Sequence, residues 1–237
     1  MKGITFNDHY GQTDAVLAGR KTMTRRIIDP TMARDQSELD GLLLLYGDGY
    51  IEIDFDGDDK FRVDCNDGKD YIITSRFSIN ENVAVKQCYY DLCKANVNCR
   101  CPADCAMIPS IVIPCKGYTE SAGWSNKMLV KNDLMPYQIR ITGIKLEHLQ
   151  DISNEDCVKE GIREGKCGND QAGWMRAYYY NREPFCTPRG AFAALTDKIN
   201  GKGTWETNPW VFAYEFELVN RKSIFQNNKQ NEKENQV

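Results

Sequence analysis

The chain has 237 residues, enough for one large domain or two small ones, and its 41% hydrophobic and 27% charged content is that of an ordinary globular protein. No apolar run approaches the ~20 residues a bilayer-spanning helix requires, which excludes a helical membrane protein; no membrane partner is expected. The net charge of −4 is unevenly spread: residues 35–70 hold twelve acids and three bases, a net −9, so the remainder carries +5. A mildly basic remainder permits a polyanionic partner without requiring one.

The N-terminal residues Met1 to His9 lack the apolar core of a signal peptide, so a cytoplasmic location is expected. The ten cysteines are then expected to be thiols or metal ligands rather than disulfides. A short strand at Gly3-Ile4-Thr5-Phe6 precedes a helical turn that includes Ala15-Val16-Leu17-Ala18. Gly19 to Arg26 then concentrate four cations and two hydroxyls in eight residues. Alternating threonines favour an extended strand there, in which Lys21 and Met23 share one face and Thr22 and Thr24 the other. A kink after Gly19 would bring Lys21 and Thr24 to one pocket, because Gly tolerates backbone angles that other residues avoid. The stretch is either a solvated basic edge strand or an anion or nucleic-acid site. Pro30 closes it.

Residues 35–75 read as an antiparallel meander. Leu42 to Tyr46 would be its first strand, and Asp-Gly turns join the alternating runs Tyr50–Phe55, Phe61–Cys65 and Tyr71–Ile73. Asp54, Asp56 and Asp58 resemble the start of a calcium loop, but Asp59 stands where that loop needs Gly and Cys65 where it needs Glu. Turn chemistry accounts for these aspartates.

A strand at Val83 to Gln87 leads into Cys88, Cys93, Cys99, Cys101, Cys105 and Cys115. Six thiols in twenty-eight residues could hold a structural zinc, form a reduced cysteine-rich loop, or pair as disulfides. The spacing contains no paired C-x2-C, so no zinc is required.

Tyr137 to Leu149 form the clearest strand. Ile139 and Ile141 share a face, and the apolar phase moves to Ile144 and Leu146 after Gly143, as at a β-bulge. Ser153 caps a helix that stops near Gly161, with Glu160 poorly placed for the helix dipole. Residues 163–186 are rich in Gly and aromatics and read as an irregular loop. Thr187-Pro188 opens a helix with Phe192, Leu195 and Ile199 on its apolar face. Val211 to Val219 form the last strand, with Phe212, Tyr214, Phe216 and Leu218 on one side. Residues 221–237 are polar and are expected to be disordered.

The ordered set Ala18 to Arg26, Glu81 to Val85, Ile139 to Thr142, Leu149 to Ser153, Glu160-Gly161-Ile162 and Thr204 to Trp210 resembles the ASCH family of the PUA-like superfamily. It is most similar to the ASCH proteins of phages and prophages. The resemblance covers roughly residues 1–30, 75–90 and 124–219. It implies one α+β domain over residues 1–220, built on a strongly bent, PUA-like β-barrel flanked by helices. The acidic meander, about 35–75, and the cysteine-rich loop, 88–123, then read as insertions. The resemblance further implies recognition of RNA or a modified nucleoside. One branch of the family hydrolyses N4-acetylcytidine with the Lys and Thr of a G-R-K-T-x-T motif and a helical Glu; carried over, these are Lys21, Thr24 and Glu160. That branch is shorter, and a less basic sequence stands in it at Arg25-Arg26.

In that mechanism Thr24 attacks the acyl carbon, neutral Lys21 takes its proton, and Glu160 serves the exocyclic nitrogen. No cofactor is needed. A non-catalytic module would instead contact phosphates with Arg20, Lys21, Arg25, Arg26 and Lys127, and stack a base on Trp124. Trp124 equally suits a rim aromatic, and Trp205 and Trp210 suit packing. A third alternative is an interaction protein whose acidic insertion meets a basic partner.

Overall fold

The computed structural model describes residues 1–45, 51–57, 59–65, 70–94 and 121–220. It is a mixed α and β structure that divides into two compact units. None of the sheets among the described residues closes into a barrel. The described part of the larger sheet starts at the two-residue strand β1 (Gly3–Ile4) and ends at β2 (Met23–Ile27). Among the described residues no helix is long and apolar enough to cross a membrane.

The first unit comprises Met1–Asp8, Asn82–Arg140 and Leu218–Val237. Here β1 pairs in parallel with β6 (Asn82–Val85), with Gly3 opposite Ala84. On its other side β6 runs antiparallel to the start of β7 (Tyr137–His148), with Val83 opposite Ile139. A short helix covers Tyr89–Lys94, and Ala84, Tyr89, Leu92, Val130 and Met135 form the unit's core. Cys88, just before that helix, donates from Sγ to Asp91 at 2.9 Å. Residues 95–120 lie outside the described residues, and with them most of the cysteine cluster and the zinc expectation. The same holds for the polar tail, 221–237.

The second unit comprises His9–Glu81 and Ile141–Glu217. Helix α1 (Gln12–Leu17) precedes β2, which pairs antiparallel with β10 (Trp210–Asn220) from Met23↔Glu215 to Ile27↔Val211. Thr24 lies opposite Tyr214 and Arg26 opposite Phe212. Burial along β7 confirms the expected change of phase: Ile139 and Ile141 are buried, and the next buried residue is Ile144.

Residues 36–45 are helix α2 (Gln36–Leu45), not the expected first strand of a meander. A run of four leucines satisfies either period, and helical spacing wins because it buries Leu42 and Leu45 together while Leu43 stays exposed. The rest of the meander is as expected: β3 (Ile51–Phe55), β4 (Lys60–Cys65) and β5 (Asp70–Thr74) are antiparallel. Phe61, Val63 and Ile73 form its buried face.

Residues 163–186 are not an irregular loop throughout. They contain a hairpin of β8 (Arg163–Asn169) and β9 (Gly173–Tyr179). Its far end is exposed on both faces, Trp174 at 58% and Met175 at 68%, so no apolar alternation marks it in the sequence.

Two capped helices follow the sequence closely. Ser153 accepts from the Asp156 N–H at 3.0 Å to start the helix Asn154–Lys159, and Thr187 accepts from the Gly190 N–H at 3.0 Å to start Pro188–Asn200. Leu149, Ile152, Cys157, Ile162, Phe192, Leu195 and Val211 form the core between them. Phe192 and Leu195 are buried as expected, whereas Ile199 is 40% exposed. Trp205 packs against this core and Trp210 is buried.

Candidate active site

Two helix ends build the site. At the end of α1, Gly19 adopts φ 68°, a left-handed angle that suits glycine. The Gly19 N–H reaches Val16 O at 2.9 Å and the Arg20 N–H reaches Ala15 O at 2.9 Å, the paired bonds of a Schellman ending. The chain therefore turns sharply at Gly19 and delivers Lys21 to the interior. The kink expected from sequence is this helix stop.

The helix Asn154–Lys159 ends in the same way. Gly161 has φ 99°, its N–H bonds Val158 O at 2.9 Å, and the Ile162 N–H bonds Cys157 O at 3.2 Å. Glu160 is the capping residue. A Cβ on Gly161 would stand 3.6 Å from Lys21 Cβ and 3.6 Å from Ala15 Cβ, so the two helix ends meet closely.

Three bonds join them. The Thr22 N–H donates to Lys159 O at 2.8 Å. Lys21 Nζ donates to the Glu160 carbonyl at 2.7 Å and to Glu160 Oε2 at 2.5 Å. A cation at these last carbonyls satisfies acceptors that the helix itself cannot, and it sits at the favourable end of the dipole. Glu160, poorly placed for that dipole when read alone, is neutralised by the partner it holds.

Lys21 and Glu160 are 3% and 4% exposed at their side chains. Burial pushes the Lys21 amine below the usual lysine range; Glu160 opposes that shift, and Arg26 and Arg25 add to it. Arg25, 2% exposed, completes the cluster. Its Nη2 donates to Glu147 Oε1 at 2.6 Å and its Nε to the same oxygen at 3.0 Å. Nη2 also lies 3.4 Å from Asp156 Oδ2, and Nη1 lies 3.3 Å from Glu160 Oε1. Arg25 thus clamps three carboxylates and holds Glu160 from the side opposite Lys21's oxygen.

Thr24 is buried on β2, facing the same way as its partner Tyr214. Alternation gives Thr24 and Arg26 one strand face and Met23 and Arg25 the other. Consistent with this, Arg25 Nη1 contacts Met23 Sδ at 3.2 Å. Arg20 is exposed.

Trp124 and Lys127 belong to the first unit. Trp124 packs beside that unit's core and meets Tyr90 edge-on at 5.8 Å. Lys127 Nζ donates to the Phe6 carbonyl and lies 2.7 Å from Asp8.

Glu147 and Asp156 belong to the cluster and were missed by sequence reasoning. Asp156 did carry a signal: it lies four residues before Glu160, and two like charges at that spacing repel unless a cation serves both. Glu147 carried none, because only the fold brings β7 beside Arg25. Among the described residues no group of three or more His, Cys, Asp or Glu is arranged to hold a metal ion.

No protein-family model, curated protein or solved structure matches this chain.

Proposed function

We propose that this protein is an ASCH-type, PUA-like cytoplasmic protein that recognises a cytosine nucleobase and hydrolyses an N4-acyl group from it. The observation that carries this reading is the buried Lys21–Glu160 pair, in which burial lowers the basicity of an amine three residues from a buried threonine hydroxyl.

In the proposed reaction, neutral Lys21 accepts the Thr24 hydroxyl proton as Thr24 Oγ bonds to the acyl carbon. The tetrahedral oxyanion collapses, the C–N4 bond breaks, and N4 takes a proton relayed from the Lys21 ammonium through Glu160. Water then attacks the Thr24 ester and gives a proton to Lys21; the acyl C–Oγ bond breaks, Thr24 Oγ takes that proton back from the Lys21 ammonium, and the carboxylic acid leaves. Arg26, which shares the Thr24 strand face, is the cation offered to the oxyanion. Thr24→Ala and Lys21→Ala should each abolish acetate release from N4-acetylcytidine. Full activity in either variant would rule the mechanism out.

A second reading, base recognition without turnover, draws on the 2.5 Å contact between Lys21 and Glu160, which is also the geometry of a purely structural ion pair. Salt-sensitive RNA binding with no acid released from any acylated nucleoside would favour it.

A further inference from the structure

Glu160 is held by two cations, one on each oxygen. Lys21 Nζ donates to Oε2 at 2.5 Å, and Arg25 Nη1 donates to Oε1 at 3.3 Å. The two cations are not equivalent. Lys21 can give up its proton, whereas a guanidinium keeps its charge. Arg25 is itself fixed from two elements. Glu147, on β7, accepts its Nη2 at 2.6 Å and its Nε at 3.0 Å. Asp156, on the helix Asn154–Lys159, accepts Nη2 at 3.4 Å. Turning the planar fork fully onto Glu160 would break its two shortest bonds.

When Lys21 is neutral, a charge stays behind on Glu160. A lone buried carboxylate is costly, so it would hold the Lys21 proton in place. With Arg25 on Oε1, Glu160 keeps a cation beside it after that proton has gone. Oε2, which faces Lys21, is then the oxygen that receives a proton from the amine. Other charged groups bear on the same pair. Lys159 Nζ lies 3.3 Å from Asp156 Oδ1 and 3.1 Å from Glu215 Oε1 on β10, so Asp156 is shared between a buried and a surface cation. Cys157 stays a thiol, because burial pushes it up to about 12. Burial lowers the Lys21 amine, Glu160 opposes that effect, and Arg26 and Arg25 on β2 add to it.

We infer that Arg25 is a positioning residue of this site: oriented by Glu147 and Asp156, it keeps Glu160 ionised and in place while Lys21 acts as the neutral base. This rests on the amidohydrolase reading for the use made of the amine, but not for the balance of charge between the two cations.

Two variants push the Lys21 proton in opposite directions. Arg25→Met removes the second cation, so Lys21 should hold its proton more tightly. Glu147→Gln removes a carboxylate that offsets Arg25 and keeps an oxygen for the Arg25 Nε–H, so Lys21 should release its proton more readily. The inflection of kcat/KM against pH for N4-acetylcytidine should rise by about one pH unit in Arg25→Met and fall by about one in Glu147→Gln. Arg25→Lys keeps the charge and loses the fork, so it should lower kcat with the inflection near that of wild type. An inflection in Arg25→Lys that matches Arg25→Met would overturn the inference.

Lysine Cε resonances followed by NMR against pH read the same proton without catalysis, the Lys21 signal being the one absent from Lys21→Arg. Opposite movements of its midpoint in Arg25→Met and Glu147→Gln, with no hydrolysis of any acylated nucleoside, would keep the charge balance and discard the hydrolase. A midpoint unmoved in Glu147→Gln, or moving the same way in both variants, would overturn the inference. Circular dichroism checks that each variant folds; should Arg25→Met fail to fold, Glu147→Gln at its partly exposed position decides alone.

Discussion

Lys21 shows what burial does to a base. Its amine is held below the ordinary value of 10.5, first by loss of water and only partly restored by Glu160. The folded protein therefore binds this proton less tightly than the unfolded chain does. Between the two pKa values the unfolded chain carries more protons, so stability contributed by Lys21 rises with pH across that window. In the proposed mechanism activity follows the same sign, because only the neutral amine accepts a proton. We expect kcat/KM for N4-acetylcytidine to rise with pH through an inflection below 10.5. A pH–rate profile with its inflection at or above that value would contradict the assignment of Lys21 as the base. Cys157 is the opposite case. Burial pushes its thiol up to about 12, with Arg25 the largest opposing influence. Iodoacetamide at pH 8, read by peptide mass spectrometry on the native protein, should modify exposed Cys186 and leave Cys157 intact. Labelling of both at equal rates would show that the Leu149–Phe192 core opens readily.

At the scale of elements, the two glycine-terminated helices set the geometry of the site. Replacing Gly19 by Ala puts a Cβ at φ 68°. That should cost about 1–2 kcal/mol, lower Tm by about 2–4 °C per kcal/mol, and reduce activity by displacing Lys21. Gly19→Asn, which tolerates the left-handed region, should recover most of both losses in thermal melts and acetate release. Equal losses in the Asn and Ala variants would mean that the left-handed angle is not what matters. Elements with local signals were legible in the sequence: the Ser153 and Thr187 caps, the Gly161 stop and the Asp56-Gly57 turn of the meander, the turns at Asp48-Gly49 and Asp67-Gly68 lying outside the described residues. Elements whose signal depends on distant partners were not. The leucines of α2 declare a helix only once Leu42 and Leu45 have a core to enter. The β8–β9 hairpin, exposed on both faces, has no buried side to impose alternation.

The molecule as a whole carries its candidate active site in one unit, from residues 21 to 160 in sequence. The lysine and the glutamate, expected together, do meet, whereas Thr24, expected beside them, lies on the strand face away from Arg25. Arg25 was legible as a cation but not as a clamp, because its partners Glu147 and Asp156 arrive from β7 and from the helix Asn154–Lys159. The expected closed barrel depends on strand pairings that no local pattern encodes, and the sheets of the described residues are open. Each unit is made of separate stretches of chain, joined at residues 8–9, 81–82, 140–141 and 217–218. Calorimetric and van't Hoff enthalpies of unfolding should therefore agree, as for a single transition. Two resolved transitions in calorimetry would show that the units melt independently despite the shared strand.

The strand β7 runs without a break across the 140–141 boundary. Neither unit is a contiguous stretch of coding sequence, so no single recombination event can lift one out whole. A truncation that keeps one cuts β7 between Arg140 and Ile141. The two have to be inherited as one piece.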